Sequence, residues 1–276
     1  MEIVAEPKFG DPRKIRETNL GEGLTDKERI KCFTDYLSEE KNPLNLPVEI
    51  LEIAVYNRKV ARILIELAFH EETLVHSLNV GKIDWYVKEG LKQEGLLHDE
   101  SDENAEKSFL VAALVHDGGK VGTEGHVLRK KGRLEEEEFI HITDHVENTA
   151  EILRDREFPA NVVALAPYHH PKYGTDKTNK VEGIAKIKKQ NPFAAALTLI
   201  DIFESMTSGV RGEGRGYQKG KILSPEIIKV EFNKAVLFDV EEQSEESRRI
   251  ILFVKNLLLR SYHYDKNDPK RSTVDF

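Results

Sequence analysis

A chain of 276 residues, 33% charged and 39% apolar, has enough hydrophobic material for one or two packed domains and reads as soluble and globular. Its formal charge of -8 excludes a general pull toward DNA or anionic membranes, so a phosphate-bearing partner must meet a local positive site. Cys32 stands alone, which excludes an internal disulfide and a zinc-finger spacing and fits a reducing cytosol; no signal peptide or membrane span is expected.

Residues 1–45, rich in charge, proline and glycine, read as an irregular arm with helical turns at 14–18 and 25–37. From Leu46-Pro47 the pattern turns helical, with Ile50, Ile53, Ala54, Val60, Ile63, Leu64 and Leu67 at steps of three and four. The next helix is expected over 71–89. It sets Glu72 and His76 four apart, one turn from each other on one face, either as co-ligands or as a surface pair. Residues 91–107 form a polar connection whose His98-Asp99 lacks a glycine turn and reads as solvated loop. His70, His126, His141 and His263 are assigned to the surface or to the surroundings of a site.

The central stretch is 109–121, an uncharged helix ending in His116-Asp117-Gly118-Gly119-Lys120. A buried His-Asp pair is costly unless neutralised, and a metal does that; a hydrogen-bonded pair at the helix end is the alternative. The glycines suit the exit from the helix, and Lys120 returns near the pair. A basic loop over 122–134, holding Lys130, leads to a helix from 135 with Phe139, Ile142, Val146, Ala150, Ile152 and Leu153 as its stripe and His145 on or beside it. The following helix ends in His169-His170-Pro171. After a lysine-rich loop, the helix over 193–206 is apolar nearly all round with Asp201 in its middle, as a metal ligand or in a salt bridge. Gly209 to Gly220, with Arg215, Tyr217 and Lys219, suits either a phosphate-binding loop or a solvated turn. Helices over 225–237 and 242–261 are scaffold, and the tail past Tyr262 reads as frayed.

Glu72, His76, His116, Asp117, His145, His169, His170 and Asp201 give eight nitrogen and carboxylate ligands on five helices. Eight exceed one structural zinc and suit two or three divalent ions completed by water or substrate; iron, manganese, zinc and cobalt all accept such donors. Three carboxylates against two or three divalent ions leave a net positive site, as a phosphodiester requires.

Taken in order, Glu72-x3-His76-Ser, His116-Asp117-x-Gly-Lys120, Gly132-x-Leu134 with His145 beyond, His169-His170 and Asp201-Ile-Phe-Glu-Ser-Met-Thr-Ser resemble the HD-GYP branch of the HD-domain metal-dependent phosphohydrolases. The resemblance runs from about residue 71 to 237. It implies an all-α fold, a helical bundle over 46–262 with additional N- and C-terminal helices and a tail over 263–276. It further implies two or three metals, often iron, held by the eight residues, with Asp117 bridging two of them. The implied reaction is hydrolysis of a cyclic dinucleotide, cyclic di-GMP to pGpG or GMP, by a hydroxide shared between metals. Lys120 would contact the phosphate or that hydroxide, and Lys130, Arg215, Tyr217 and Lys219 would steady the nucleotide. Another nucleotide substrate, or a non-catalytic module binding a nucleotide or a signalling protein, is the alternative, and a homodimer is compatible with either. The chain departs from the family after the paired histidines: it has Pro171-Lys-Tyr-Gly-Thr-Asp where the family places an Asp-Gly loop and then a Gly-Tyr-Pro tripeptide. The likeness therefore reaches the metal ligands more firmly than the substrate.

Overall fold

The computed structural model describes residues 25–37, 42, 44–68, 70–97, 103–123, 125–128, 135–170, 191–208, 223–240, 244–267 and 272–276. The fold is all-α. α1 (Asp26–Tyr36) starts at a capping box in which Thr25 and Glu28 satisfy each other's end of the helix. Phe33, Tyr36 and Leu37 put this helix of the amino-terminal arm into the main core.

α2 (Val48–Tyr56) and α3 (Arg58–Leu67) are separated by Asn57, whose side chain caps α3 by accepting from the N–H groups of Lys59 and Val60. α4 (Glu71–Gln93) and α5 (Glu103–Val115) pack together. α4 runs four residues past the expected end, because Val87 and Leu91 continue the buried face into a stretch whose charges alone look like loop. A 3-10 turn (Gly118–Gly122) follows α5, then α6 (Gly125–Leu128) and α7 (Glu136–Thr143). α8 (His145–Asp155) begins after Asp144, so the one helix expected here is two. α9 (Ala160–Leu165) tightens into a 3-10 turn (Ala166–Tyr168) at Pro167, which has no N–H to give to a continuing helix.

α10 (Pro192–Thr207) is the axis of the molecule. Asn191 caps it, Pro192 opens it, and its residues from Ala194 to Glu204 are buried all round. It packs on α4 and on two later helices, α11 (Pro225–Val240) and α12 (Glu245–Ser261). The tail is more ordered than its composition suggests. A strand pair, β1 (Tyr262–His263) with β2 (Thr273–Val274), folds it back. The Tyr262 hydroxyl donates to Leu223 O (2.8 Å), and the Phe276 ring stacks on Tyr86. No helix among the described residues is long and apolar enough to cross a membrane.

Candidate metal centre

Five elements bring their polar ends to one buried point. α4 supplies His76, the end of α5 supplies His116 and Asp117, and the first turn of α8 supplies His145. The end of the Ala166–Tyr168 turn supplies His169 and His170, and α10 supplies Asp201. All are buried except His170, which is half-buried. The donor atoms fall into three groups, His76 with His116 and Asp201, His116 with Asp117 and His169, and His145 with His169 and His170. Within each group the atoms lie within 4.8 Å of one another.

One local device orients three of the imidazoles. His116, His145 and His169 each turn Nδ1 to the carbonyl three residues back, at Ala113 (2.7 Å), Ile142 and Ala166 (2.8 Å). A carbonyl can only accept, so each Nδ1 carries the proton and each Nε2 keeps its lone pair. His76 reaches the same state by giving Nδ1–H to the buried carboxylate of Glu204, which also accepts from Asn79 Nδ2 at 3.0 Å. Those lone pairs then converge: His76 Nε2 lies 3.1 Å from His116 Nε2, and His145 Nε2 lies 3.3 Å from His169 Nε2, while the His170 ring approaches the same point with Nε2 3.1 Å from His145 Nε2.

Two lone pairs cannot hydrogen-bond each other, and an arrangement that aims them together is satisfied by a cation between them. Imidazoles about 2.1 Å from one ion have nitrogens about 3.0 Å apart at a right angle and about 3.4 Å apart in a tetrahedron. The observed separations fall in that interval, so the donor set fits divalent metal. Burial is the first cause that pushes the imidazoles toward the neutral, ligating form. His116 is lowered to about 4, and His145, His169 and His170 are lowered well below the usual histidine value.

Asp117 stands between the two sides. Its Oδ2 faces His116 (3.6 Å) and His76 (3.7 Å), and its Oδ1 faces His145 (3.3 Å) and His169 (3.6 Å). Burial alone would raise its pKa. The buried Lys120 ammonium, in contact with Oδ2, is the leading influence that outweighs burial and holds the carboxyl well below the usual range. Asp201 Oδ1 lies 3.0 Å from His76 Nε2 and 3.9 Å from His116 Nε2.

The backbone around Asp117 is clamped. Gly119 N–H donates to Thr149 Oγ1 (2.8 Å), whose own hydroxyl sits 2.8 Å from His145 O and 3.1 Å from His116 O. A methyl group on Gly119 would lie 2.0 Å from His145 O, so only glycine allows the turn to reach α8. Gly118 meets α3 instead, with Ile63 against it.

A family model described as HD domain matches residues 73–206, a span that contains His76, His116, Asp117, His145, His169, His170 and Asp201. The chain carries an HD domain. Two relatives are similar to it. One is a 3'3'-cGAMP-specific phosphodiesterase 2 of Vibrio cholerae, 25% identical over 71% of this chain and 41% of its own length. The other is a cyclic di-GMP phosphodiesterase of Pseudomonas aeruginosa, 32% identical over 40% of this chain and 25% of its own length. The chain thus spans less than half of either relative. Among solved structures nothing matches it.

Of the eight ligands expected from the HD-domain sequence, seven meet in these groups. Glu72 lies one turn before His76 on α4, half-buried, and belongs to none of the three groups. Lys120 is buried beside Asp117. Lys130, Arg215, Tyr217 and Lys219 fall outside the described residues. Sequence reasoning missed Glu204, Asn79 and Thr149. The available signal was spacing: Glu204 follows Asp201 by three residues, Asn79 follows His76 by three, and Thr149 follows His145 by four.

Proposed function

We propose that this HD domain is a metal-dependent phosphodiesterase that opens a cyclic dinucleotide, with cyclic di-GMP the first candidate substrate and pGpG or GMP the product. The observation that carries the reading is the convergence of unprotonated imidazole nitrogens on both oxygens of Asp117. His76, His116, His145, His169, His170, Asp117 and Asp201 would hold two or more divalent ions, with Asp117 shared between them. Iron is proposed first, and manganese, zinc and cobalt accept the same donors. Such ions would supply a water of lowered pKa and positive charge opposite the phosphate oxygens.

The chain's own residues set the conditions for that chemistry. Glu204 fixes His76 in the tautomer that ligates through Nε2, an acid-histidine pairing that tunes metal sites generally. Lys120 keeps Asp117 ionised and places a fixed positive charge, shielded from water, beside the carboxylate where a phosphate would be drawn. Glu72, half-buried one turn before His76, remains a proposed ligand. Lys130, Arg215, Tyr217 and Lys219 are proposed to contact the nucleotide on the strength of the family resemblance.

The names of the two relatives support a cyclic dinucleotide as the substrate class. The Vibrio relative, which covers more of the chain, favours 3'3'-cyclic GMP-AMP as the second candidate. The test is a panel of metal-loaded reactions with cyclic di-GMP, 3'3'-cyclic GMP-AMP, linear dinucleotides and nucleotide monophosphates in oxygen-18 water, products being read by mass spectrometry. A linear dinucleotide with one labelled phosphate oxygen, or mononucleotides with one labelled oxygen each, is expected. Fully metallated protein that turns over none of the cyclic dinucleotides would end the proposal.

A further inference from the structure

Away from the metal centre, α3 and the end of α8 enclose an open groove of about 370 Å³ lined by Arg58, Lys59, Arg62, Arg156 and Asp155. None of these is a metal-centre residue. Four cationic side chains face Asp155 within the groove and Glu66 at its edge, so positive charge is in excess by two in a chain whose formal charge is -8. A local reversal of this kind is what an acidic protein needs in order to hold an anion.

The cations are placed rather than merely collected. Lys59 Nζ donates to the backbone carbonyl of Glu157 (2.5 Å) and lies over the Phe158 ring, which holds the start of α3 to the end of α8. Glu66 takes Arg62 Nε at 3.3 Å and Arg156 Nη2 at 2.7 Å, so one carboxylate sets both guanidinium groups. Arg156 Nη1 is shielded from solvent and has no hydrogen-bond acceptor among the described residues. A shielded guanidinium N–H without an acceptor is costly, so a small movement of Arg156 that brought an anion in the groove within its reach would be favoured. Arg58, exposed, makes no ion pair among the described residues.

We propose that the groove between α3 and α8 binds a phosphate-bearing anion at a site separate from the metal centre. Arginine suits this role because its planar fork matches two phosphate oxygens at once. The phosphate could be inorganic or carried on a nucleotide. The inference does not depend on which reaction the metal centre performs.

Metal-loaded protein labelled with nitrogen-15 in its arginine side chains would be titrated with sodium phosphate, and separately with guanosine 5'-monophosphate. Sodium chloride at matched ionic strength serves as the control. Arg→Lys variants assign the signals. Saturable shifts of the Arg58, Arg62 and Arg156 Nε signals are expected with phosphate and not with chloride. In the double variant Arg58→Ala/Arg62→Ala, whose altered side chains are exposed, binding should weaken roughly tenfold or more. Equal affinity for phosphate and the nucleotide assigns the site to phosphate itself, and tighter nucleotide binding assigns it to a nucleotide. Shifts that do not saturate, that chloride reproduces, or that the double variant leaves unchanged would overturn the proposal.

Discussion

Replacing Gly119 by alanine tests how closely the turn that carries Asp117 must approach α8. The added methyl would sit 2.0 Å from His145 O, 2.5 Å from Thr149 N and 2.8 Å from Thr149 Oγ1, and the first two are backbone atoms that cannot rotate away. Ordinary contact of about 3.5 Å requires the turn and α8 to part by roughly 1 Å or more. That movement lengthens the Gly119–Thr149 hydrogen bond and separates Asp117 from His145, now 3.3 Å apart across the proposed ion. Overpacking of this kind costs about 1–3 kcal/mol. For a chain of this size that is a melting temperature lower by roughly 2–5 °C. Metal-ligand distances tolerate only about 0.2 Å, so metal retention should suffer more than the fold. Thermal melts followed by circular dichroism, with metal counted in the same samples, would read both effects. Gly122→Ala is the control, because a methyl there meets nothing within 4 Å and should change neither. A Gly119→Ala protein that melts with wild type and keeps its full metal would refute the packing argument.

Other consequences can be checked on the same preparations. Asp117→Ala removes the carboxylate shared by both sides of the centre, so metal and hydrolytic activity should vanish together while the helical circular-dichroism spectrum persists. Glu204→Gln weakens the acceptor that fixes the His76 tautomer. Chelator competition should show metal affinity lower by about 10–100-fold with the helical content unchanged, and wild-type affinity would remove Glu204 from the account. Asp84, on α4, is buried with neither carboxylate oxygen hydrogen-bonded among the described residues, and burial holds its pKa well above the usual range despite the nearby Lys88. The folded state therefore keeps a proton that the unfolded chain releases near pH 4, and stability falls as pH rises from there to the raised folded value. Asp84→Asn cannot lose that proton, so its melting temperature should gain on wild type across the same interval. A difference that stays flat with pH would contradict the assignment.

Several candidate ligands were legible because they interrupt an apolar helix where an unneutralised polar group would be costly: His116 and Asp117 end α5, and Asp201 sits within the buried faces of α10. Their convergence was less legible. The apolar stripe through Phe139, Ile142, Val146 and Ala150 has no glycine or proline, so nothing in it announces the break at Asp144. That break puts His145 in the first turn of α8, where Nδ1 reaches Ile142 O. Pro167 tightens the chain before His169, where the sequence pattern points to one helix running on to His169-His170. Glu204 escaped notice because a second carboxylate near the end of a helix reads as solvent-facing, and only packing of α10 on α4 places it against His76. The tail looked loose because strand pairing between Tyr262 and Val274 spans a connection of polar residues with no local hydrophobic pattern.

Metal counting on protein expressed and purified without chelators tests the central claim most directly. Elemental analysis should find about two or more divalent ions per chain, and close to none in the Asp117→Ala protein. Wild-type protein that carries no metal, and gains none when dialysed against iron, manganese, zinc and cobalt in turn, would contradict the account.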